Sequence, residues 1–552
     1  MKQTLDTLSR ITQAEIARAA EYLRQYKSAK QRLDSRLYSE KRWWRERFFC
    51  DGRNAQKNHT SAWLLNSISH KHADICESYP VCRVLPREPG DEQDAAMLSD
   101  VIPVIMKNCE FEKTFGDNAW SKLKHGMAAY GIFWNPSLCE GLGDIDIRRI
   151  DVMNLFWSPD VSDLQESPNV FLVTLEDTNS LMARYHLSPD ALRLIGDESL
   201  LSDTGGSYVG GITSFNEAPQ QTAVVDWYYK TLSSEGKEVV HFAKFTGSTL
   251  LYASQNDPLY AERGWYDHGK YPFVLDVLFP EEGTPEGYGI LALGRQQQGY
   301  IDELDGHLLE YANWASRVRY WVKRSLGVNE KDFLDPDRHI IEVEGDIDEE
   351  KLRQITLSPM DSALSELRRM KIDELKETTG VQDVSIGTAS GGVVSATAIL
   401  ALQEAGGKTS RDCIIGTHRA FVAIVHQVIE LIRQFYDGMR TFRITGKEGD
   451  FHYVSYSNKG ISERIVGVGA DGEQRYYRPI FDIDVSAERQ TPQNRLERND
   501  FMLRLYQAGM FDEGQEASAL RALSGMDFDG IGALYAALSE AVATRAKEGD
   551  SL

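Results

Sequence analysis

Residues 290–324 read ILALGRQQQGYIDELDGHLLEYANWASRVRYWVKR, without a proline. Within them Ile301, Leu304, Leu308, Tyr311, Ala315, Val318 and Val322 follow one another at alternating spacings of three and four. That alternation has the 3.5-residue period of an apolar seam running along a nearly parallel neighbour helix. It predicts one helix through to Arg324, about 50 Å long at about 1.5 Å per residue. The other face carries Asp302, Glu303, Asp305 and Glu310 early and Arg317, Arg319, Lys323 and Arg324 late. An acidic start and a basic end suit the partial charges of the helix termini. Such a helix is too long for most globular domains, and its seam needs a partner.

Downstream, residues 327–358 are polar, with a candidate strand at Ile340-Ile341-Glu342-Val343-Glu344 inside an acidic stretch. Its carboxylates read as a solvated surface, because nothing apolar nearby would shift their pKa values for acid/base work. A second helix is expected from Met360 to Thr379, closed by Gly380 as its C′ residue. A small-residue loop follows, Val381 to Val394, with Gly387, Gly391 and Gly392. Ser395 is a plausible N-cap for another long helix to Gly438, kinked at Gly406-Gly407, with an apolar face from Phe421 to Phe435. Residues 441–486 return to strand patterning, and 490–552 read as helical.

Upstream, residues 2–49 show helical spacing at Leu5, Leu8, Ile11, Ile16, Ala20 and Leu23. The run Lys41-Arg42-Trp43-Trp44-Arg45-Glu46-Arg47-Phe48-Phe49 has the aromatic and basic mixture that stacks on bases. A packed helix end with snorkelling arginines explains it more simply. Residues 60–135 alternate helix and extended pieces, and 141–175 and 222–280 look β-rich. The glycines between 200 and 220 imply a flexible loop. His70 and Asp74 share a helix face, but no third metal ligand accompanies them. The pairs Asp144/Asp146 and Asp482/Asp484 sit in alternating runs and lack the glycine and glutamate of an EF-hand. They are expected on the solvent side of half-buried sheets.

The chain has 552 residues, 42% of them hydrophobic, enough for several domain-sized cores. Acidic residues number 83 against 61 basic, a net charge of −22, which argues against a surface that grips nucleic acid all over. The cysteines, Cys50, Cys76, Cys82, Cys109, Cys139 and Cys413, form no CxxC, so reduced thiols are expected. Charges scattered through the first twenty residues break any signal-peptide core, and no run of 18 apolar residues suggests a membrane span. Assembly in a cytoplasm follows as the expectation.

Enzyme motifs are incomplete. Gly406-Gly407-Lys408-Thr409 is half a P-loop signature, with Leu402 where the first glycine belongs and helix-like sequence before it. Gly387-Thr388-Ala389-Ser390-Gly391 does not match a nucleophile elbow. No catalytic residue, cofactor or metal is expected.

The order of parts carries more information. An α/β region precedes a long helix, a short acidic β-containing excursion, a return helix, a glycine-rich loop, a kinked helix and a helical tail. This α+β arrangement resembles the portal proteins of tailed bacteriophages. Trp63-Leu64-Leu65-Asn66-Ser67-Ile68 and Val84-Leu85-Pro86-Arg87-Glu88 are similar to the start of the portal wing. So are His125-Gly126-Met127-Ala128-Ala129-Tyr130-Gly131-Ile132-Phe133 and Ile150-Asp151-Val152-Met153-Asn154-Leu155-Phe156-Trp157-Ser158-Pro159-Asp160. Gly287-Tyr288-Gly289 and Gln296-Gln297-Gln298-Gly299-Tyr300-Ile301-Asp302 look like the beginning of the portal stem.

The resemblance implies an α/β wing at 1–287, stem helices at 288–322 and 359–380, and a clip at 323–358 between them. It further implies a tunnel loop at 381–394, the kinked helix at 395–440, a wing β-segment at 441–489 and a crown at 490–552. It implies a homo-oligomer, usually a twelve-subunit ring at one capsid vertex. Double-stranded DNA passes through without sequence specificity. The terminase large subunit, then head-completion or adaptor and tail proteins, dock there beside capsid and scaffold proteins, with no membrane involved. On this basis Gln382, Asp383, Ser385, Thr388 and Ser390 are expected near passing DNA. Arg317, Arg319, Lys323 and Arg324 are expected at the stem–clip junction, pairing with Asp335, Asp337, Glu342 or Glu344 of a neighbour. The alternatives are a non-viral cytoplasmic coiled-coil assembly protein or an unrecognised enzyme.

Overall fold

The computed structural model describes residues 10–48, 61–186, 221–316 (except 235 and 248), 319–322, 331, 352–355, 362–380, 408–445, 451–468, 474–487, 492–508, 519, 522–523 and 525–526. The chain divides into two units. The first comprises Met1–Arg42, Ile68–Ala292 and Asp383–Leu552; the second comprises Trp43–Ser67 and Leu293–Gln382.

In chain order, helices α1 (Gln13–Phe48) and α2 (Trp63–Glu77) lead to strand β1 (Pro80–Pro86), then α3 (Glu92–Asn108) and α4 (Phe111–His125). Strands β2 (Met127–Asn135), β3 (Asp144–Ile150), β4 (Leu155–Trp157) and β5 (Asn169–Asp177) follow, then α5 (Thr178–Tyr185). Next come β6 (Gln221–Leu232), β7 (Glu238–Thr246), β8 (Thr249–Ala253), β9 (Phe273–Val277), β10 (Phe279–Pro280) and β11 (Gly287–Tyr288). Then α6 (Ile290–Ser316), β12 (Arg319–Val322), β13 (Leu352–Ile355), α7 (Ser362–Thr379) and α8 (Lys408–Phe435). The last elements are β14 (Arg440–Thr445), β15 (Phe451–Tyr456), β16 (Arg464–Val468), β17 (Gln474–Tyr477), β18 (Phe481–Ala487) and α9 (Pro492–Gln507).

In the first unit, β4 to β8 form an antiparallel meander in chain order. Helix α1 covers it with Ile16, Ala19, Ala20, Leu23, Tyr26, Leu33 and Leu37, whose three-, four- and seven-residue steps keep them on one face. Tyr26 meets Phe171 edge-on at 5.8 Å, and Phe171 stacks on Trp227 at 6.1 Å. The buried Lys30 ammonium reaches the carbonyls of Val152 and Leu155, lies 4.7 Å from the Phe156 ring centre, and pairs with Asp34 at 3.1 Å. Burial pushes the Lys30 pKa down and that of Asp34 up.

A second sheet, ordered β3-β2-β9, packs with α4 and α8 around Phe111, Tyr130 and Phe421. Strand β1 pairs with β18, from Pro80 opposite Ala487 to Pro86 opposite Phe481. Helix α8 is long and apolar enough to cross a membrane by length and composition. Here its apolar face (Phe421, Ile424, Val425, Val428, Leu431, Ile432) is buried in the first unit.

Four expectations change. The helix from 290 stops at Ser316, and Arg319–Val322 is a strand opposite Leu352–Ile355. Tyr320, Trp321 and Val322 suit a pleated strand, and cross-strand pairing outweighs the helical seam there. Among the described residues every strand pairing is antiparallel, so the region expected as α/β is α+β in its connectivity. Asp144 is buried rather than facing solvent, accepting the Tyr436 hydroxyl at 2.6 Å; Asp146 is half-buried, while Asp482 and Asp484 are exposed as expected. Among the described residues the helix expected over 2–49 begins only at Gln13, and Leu5 and Leu8 lie outside them.

Other expectations agree. Helix α7 ends at Thr379, and Gly380 takes the left-handed conformation (φ 69°) of a C′ glycine. The strands of 222–280 and 441–486 form. Among the described residues Cys76, Cys82, Cys109, Cys139 and Cys413 are not joined in disulfides. The loop at 200–220, the strand at 340–344, the kink at Gly406-Gly407 and most of 509–552 lie outside the described residues.

Candidate functional site

The second unit is built on the helical hairpin of α6 and α7. A Cβ on Gly294 would stand 2.6 Å from Leu64 and 3.2 Å from Leu375, so glycine there lets α6 sit close to both. One step along, the Lys371 ammonium lies 5.8 Å from the Tyr300 ring centre. Further along, Arg368 holds Asp305, with Nη2 to Oδ2 at 3.3 Å. Numbers rise along α6 as they fall along α7, so the helices are antiparallel. The pairing of Arg319 with Ile355 follows the same antiparallel order.

The base of the hairpin is fastened by a polar cluster around Asp302. Arg47 grips both carboxylate oxygens, at 2.5 and 2.9 Å, with side-chain exposures of only 7% and 17%. Asp302 Oδ1 also accepts from the Ser61 amide and hydroxyl, each at 3.1 Å, and from Gln298 Nε2 at 3.0 Å. Gln298, fully buried, accepts the Leu64 N–H on its single side-chain oxygen, Oε1, at 2.9 Å. A carboxylate with this many donors is well compensated for burial. At the far end of α7, Thr379 donates to Ser67 at 3.2 Å, and Lys376 lies 5.7 Å from the Trp63 ring centre. The expected packing of the basic and aromatic helix end holds: Arg47 lies 5.1 Å over Trp43 and 5.8 Å over Phe48.

Away from this base several large apolar side chains of the hairpin are exposed. Leu309 is 44% exposed, Trp314 49%, Leu364 37%, Leu367 41% and Met370 61%. The seam residues Leu304, Leu308 and Tyr311 are only half-buried. Bonding to Asp305 pushes the Arg368 pKa above its ordinary range.

Of the residues singled out from sequence, Arg319 lies in β12. Arg317, Lys323, Arg324, Asp335, Asp337, Glu342 and Glu344 lie outside the described residues, as do Gln382, Asp383, Ser385, Thr388 and Ser390. Sequence reading counted Asp302 among exposed charges and missed its cluster. The available signal was the i,i+4 spacing of Gln298 and Asp302, which puts both on one helix face.

The other candidate motifs have structural partners. Asp74 accepts the Ser410 hydroxyl at 2.7 Å, and Thr409, from the half P-loop, accepts Lys71 Nζ at 3.2 Å. Among the described residues no three His, Cys, Asp or Glu side chains gather to hold a metal ion.

A search of curated proteins finds no match. The model of the phage P22-like portal protein family matches residues 73–548, which takes in β1 through α9 and both arms of the hairpin. A match over nearly the whole chain, on a fold of mixed helices and strands with a long two-helix hairpin, makes this chain a member of the P22-like phage portal protein family.

Proposed function

We propose that copies of this chain form a ring, of twelve subunits by analogy with the family, at one vertex of a phage capsid. The observation that carries the reading is the α6–α7 hairpin, whose outer part leaves Leu309, Trp314, Leu364, Leu367 and Met370 open to solvent. Burying apolar area of this kind yields roughly 25 cal/mol per Å², and a neighbouring hairpin is a partner that a closed ring repeats for every subunit.

In this reading α6 and α7 belong to the stem, at 288–322 and 359–380, and residues 323–358 are the clip. Residues 381–394 are the tunnel loop, and residues 490–552 the crown. DNA enters through the ring under the action of the terminase large subunit and leaves by the same channel. Head-completion and tail proteins dock at the clip, and the ring sits in the virion after assembly in the host cytoplasm beside capsid and scaffold proteins. The net charge of −22 supports a conduit without firm DNA contacts, since each phosphate neutralised by Lys or Arg adds salt-dependent affinity. Gln382, Asp383, Ser385, Thr388 and Ser390 are assigned to the wall nearest DNA. Arg317, Arg319, Lys323 and Arg324 are assigned to the stem–clip junction facing Asp335, Asp337, Glu342 or Glu344 of a neighbour. Portal proteins act as structural parts, and no reaction is assigned to this one.

Negative-stain microscopy of the purified protein tests the ring: discs with a central hole are expected. A strictly monomeric protein, even concentrated and mixed with capsid components, overturns it. Deleting residues 385–392 tests the loop: rings should persist while packaging or DNA retention fails.

A further inference from the structure

Three segments far from it in sequence converge on the last turn of α4. Lys122 is 1% exposed, and its ammonium donates to Asp276 Oδ1 on β9 at 2.6 Å, to Thr417 Oγ1 on α8 at 2.7 Å and to the Cys413 carbonyl at 3.2 Å. Three donors therefore meet three acceptors. One turn later Gly126 closes α4 in the left-handed conformation, φ 86°, its N–H on the Lys122 carbonyl at 2.8 Å. The Gly126 carbonyl accepts the Leu278 N–H at 2.9 Å, just past Asp276.

On its other side this turn presses on the backbone that leads into α6. A Cβ on Gly126 would overlap the Tyr288 carbonyl carbon, and a Cβ on Gly289 would overlap the Lys124 carbonyl oxygen. No adjustable side chain separates the two strands of backbone. A shift of the α4 turn therefore meets residues 288–289 directly, and Ile290 and Leu291 follow them, both buried.

The seat of α8 is unequal along its length. From Phe421 onward it interdigitates with the core through Phe421, Ile424, Val425, Val428 and Leu431. Before that only Cys413, Thr417 and Ala420 are buried, all small side chains, and polar contacts recur: Lys71 to Thr409, Ser410 to Asp74, Lys122 to Thr417, and His418 to the Ser78 carbonyl at 3.1 Å. A hydrogen bond contributes little net free energy and can be exchanged for another, whereas close packing cannot shift without opening voids. The first part of α8 is thus the part able to move, and Lys122 ties that part to the α4 turn.

We propose that the Lys122–Gly126 turn is a mechanical link which makes the position of the first half of α8 and the order of the first turn of α6 depend on each other. The link lies within one chain, so it stands or falls independently of ring formation.

Hydrogen exchange on the full-length protein tests it. Lys122→Met combined with Asp276→Leu removes both charges and leaves neither buried alone. Amides of residues 408–418 and of 287–292 should both exchange about tenfold faster, while those of β5 to β7 stay at the wild-type rate. Thr417→Val, a gentler change that removes one of three acceptors, should raise both sets by roughly fivefold. Gly289→Ala, perturbing the other end, should speed exchange in 408–418, because coupling between two sites is reciprocal. Faster exchange confined to 408–418 in the Thr417 variant, or to 287–292 in the Gly289 variant, overturns the link.

Discussion

Asp305 on α6 and Arg368 on α7 face each other across the hairpin of the second unit, and beyond them Leu309, Trp314, Leu364 and Leu367 lie open to solvent. The pair is itself partly exposed, 33% for Arg368 and 16% for Asp305. Solvent screening then limits it to about 1 kcal/mol. Arg368→Ala should lower unfolding stability in urea by about that amount, and a loss above about 3 kcal/mol would show that the pair is buried by something further.

The exposed side chains next to that pair should govern self-association. Leu367→Glu with Met370→Glu places carboxylates on the bare surface while leaving the buried Ile372 and Leu375 intact. Sedimentation velocity should show loss of rings, with far-UV circular dichroism unchanged. Rings of normal stability in this variant would remove the hairpin from the subunit interface.

Asp302 should be far less tolerant than Asp305. Asp302→Ala leaves the Arg47 guanidinium, 7% exposed, without its counter-charge, a change that costs about 3–5 kcal/mol. Limited proteolysis should then cut between 48 and 61 faster than in the wild type. Asp302→Asn, which keeps an acceptor for Ser61 and Gln298, should fall between the two.

Gly126 combines a left-handed backbone with contact against Tyr288 and Gly289. Alanine there adds conformational strain of about 1–3 kcal/mol and an overlap that only backbone movement relieves. Gly126→Ala should lower the melting temperature by several degrees or abolish soluble expression. Gly116→Ala, on the same helix with open space around its Cα, should be neutral or mildly stabilising in the same thermal melt.

Burial pushes the pKa of His241 down to about 4 from 6.5, with Nδ1 against the Ser254 hydroxyl at 3.1 Å. The unfolded chain therefore takes up this proton first. The stability tied to neutral His241 is complete above pH 6.5 and is lost as pH falls towards 4. Asp226, raised to about 6 mainly by burial, acts with the opposite sign as pH rises from its ordinary 3.8. The clean measurement is a difference: His241→Asn should flatten the stability-against-pH slope between 4 and 6.5 by about 1.4 kcal/mol per pH unit. An unchanged slope would mean that His241 titrates freely in the folded protein.

Much of the architecture was legible because it is local. The helix of residues 362–379 and its Gly380 terminus, the α1 stripe and the strand patterning of 222–280 each follow from side-chain period and backbone preference within a few residues. The end of α6 was not legible. Val318 and Val322 continue the helical seam, and only the pairing of Arg319–Val322 with Leu352–Ile355 turns that segment into a strand. The site was less legible still. Asp302 and Lys122 read as ordinary surface charges until Arg47, Ser61, Asp276 and Thr417 are brought to them from distant parts of the chain.

By itself, the sequence determined most of the elements and their order, and through that order the resemblance to the portal family, because periodicity and turn chemistry are written in neighbouring residues. The tertiary structure alone decided that β1 pairs with β18, that Gly126 rests on Gly289, and which charges are buried. Those facts depend on contacts between residues tens to hundreds of positions apart, and such contacts leave no mark on the local pattern of either partner.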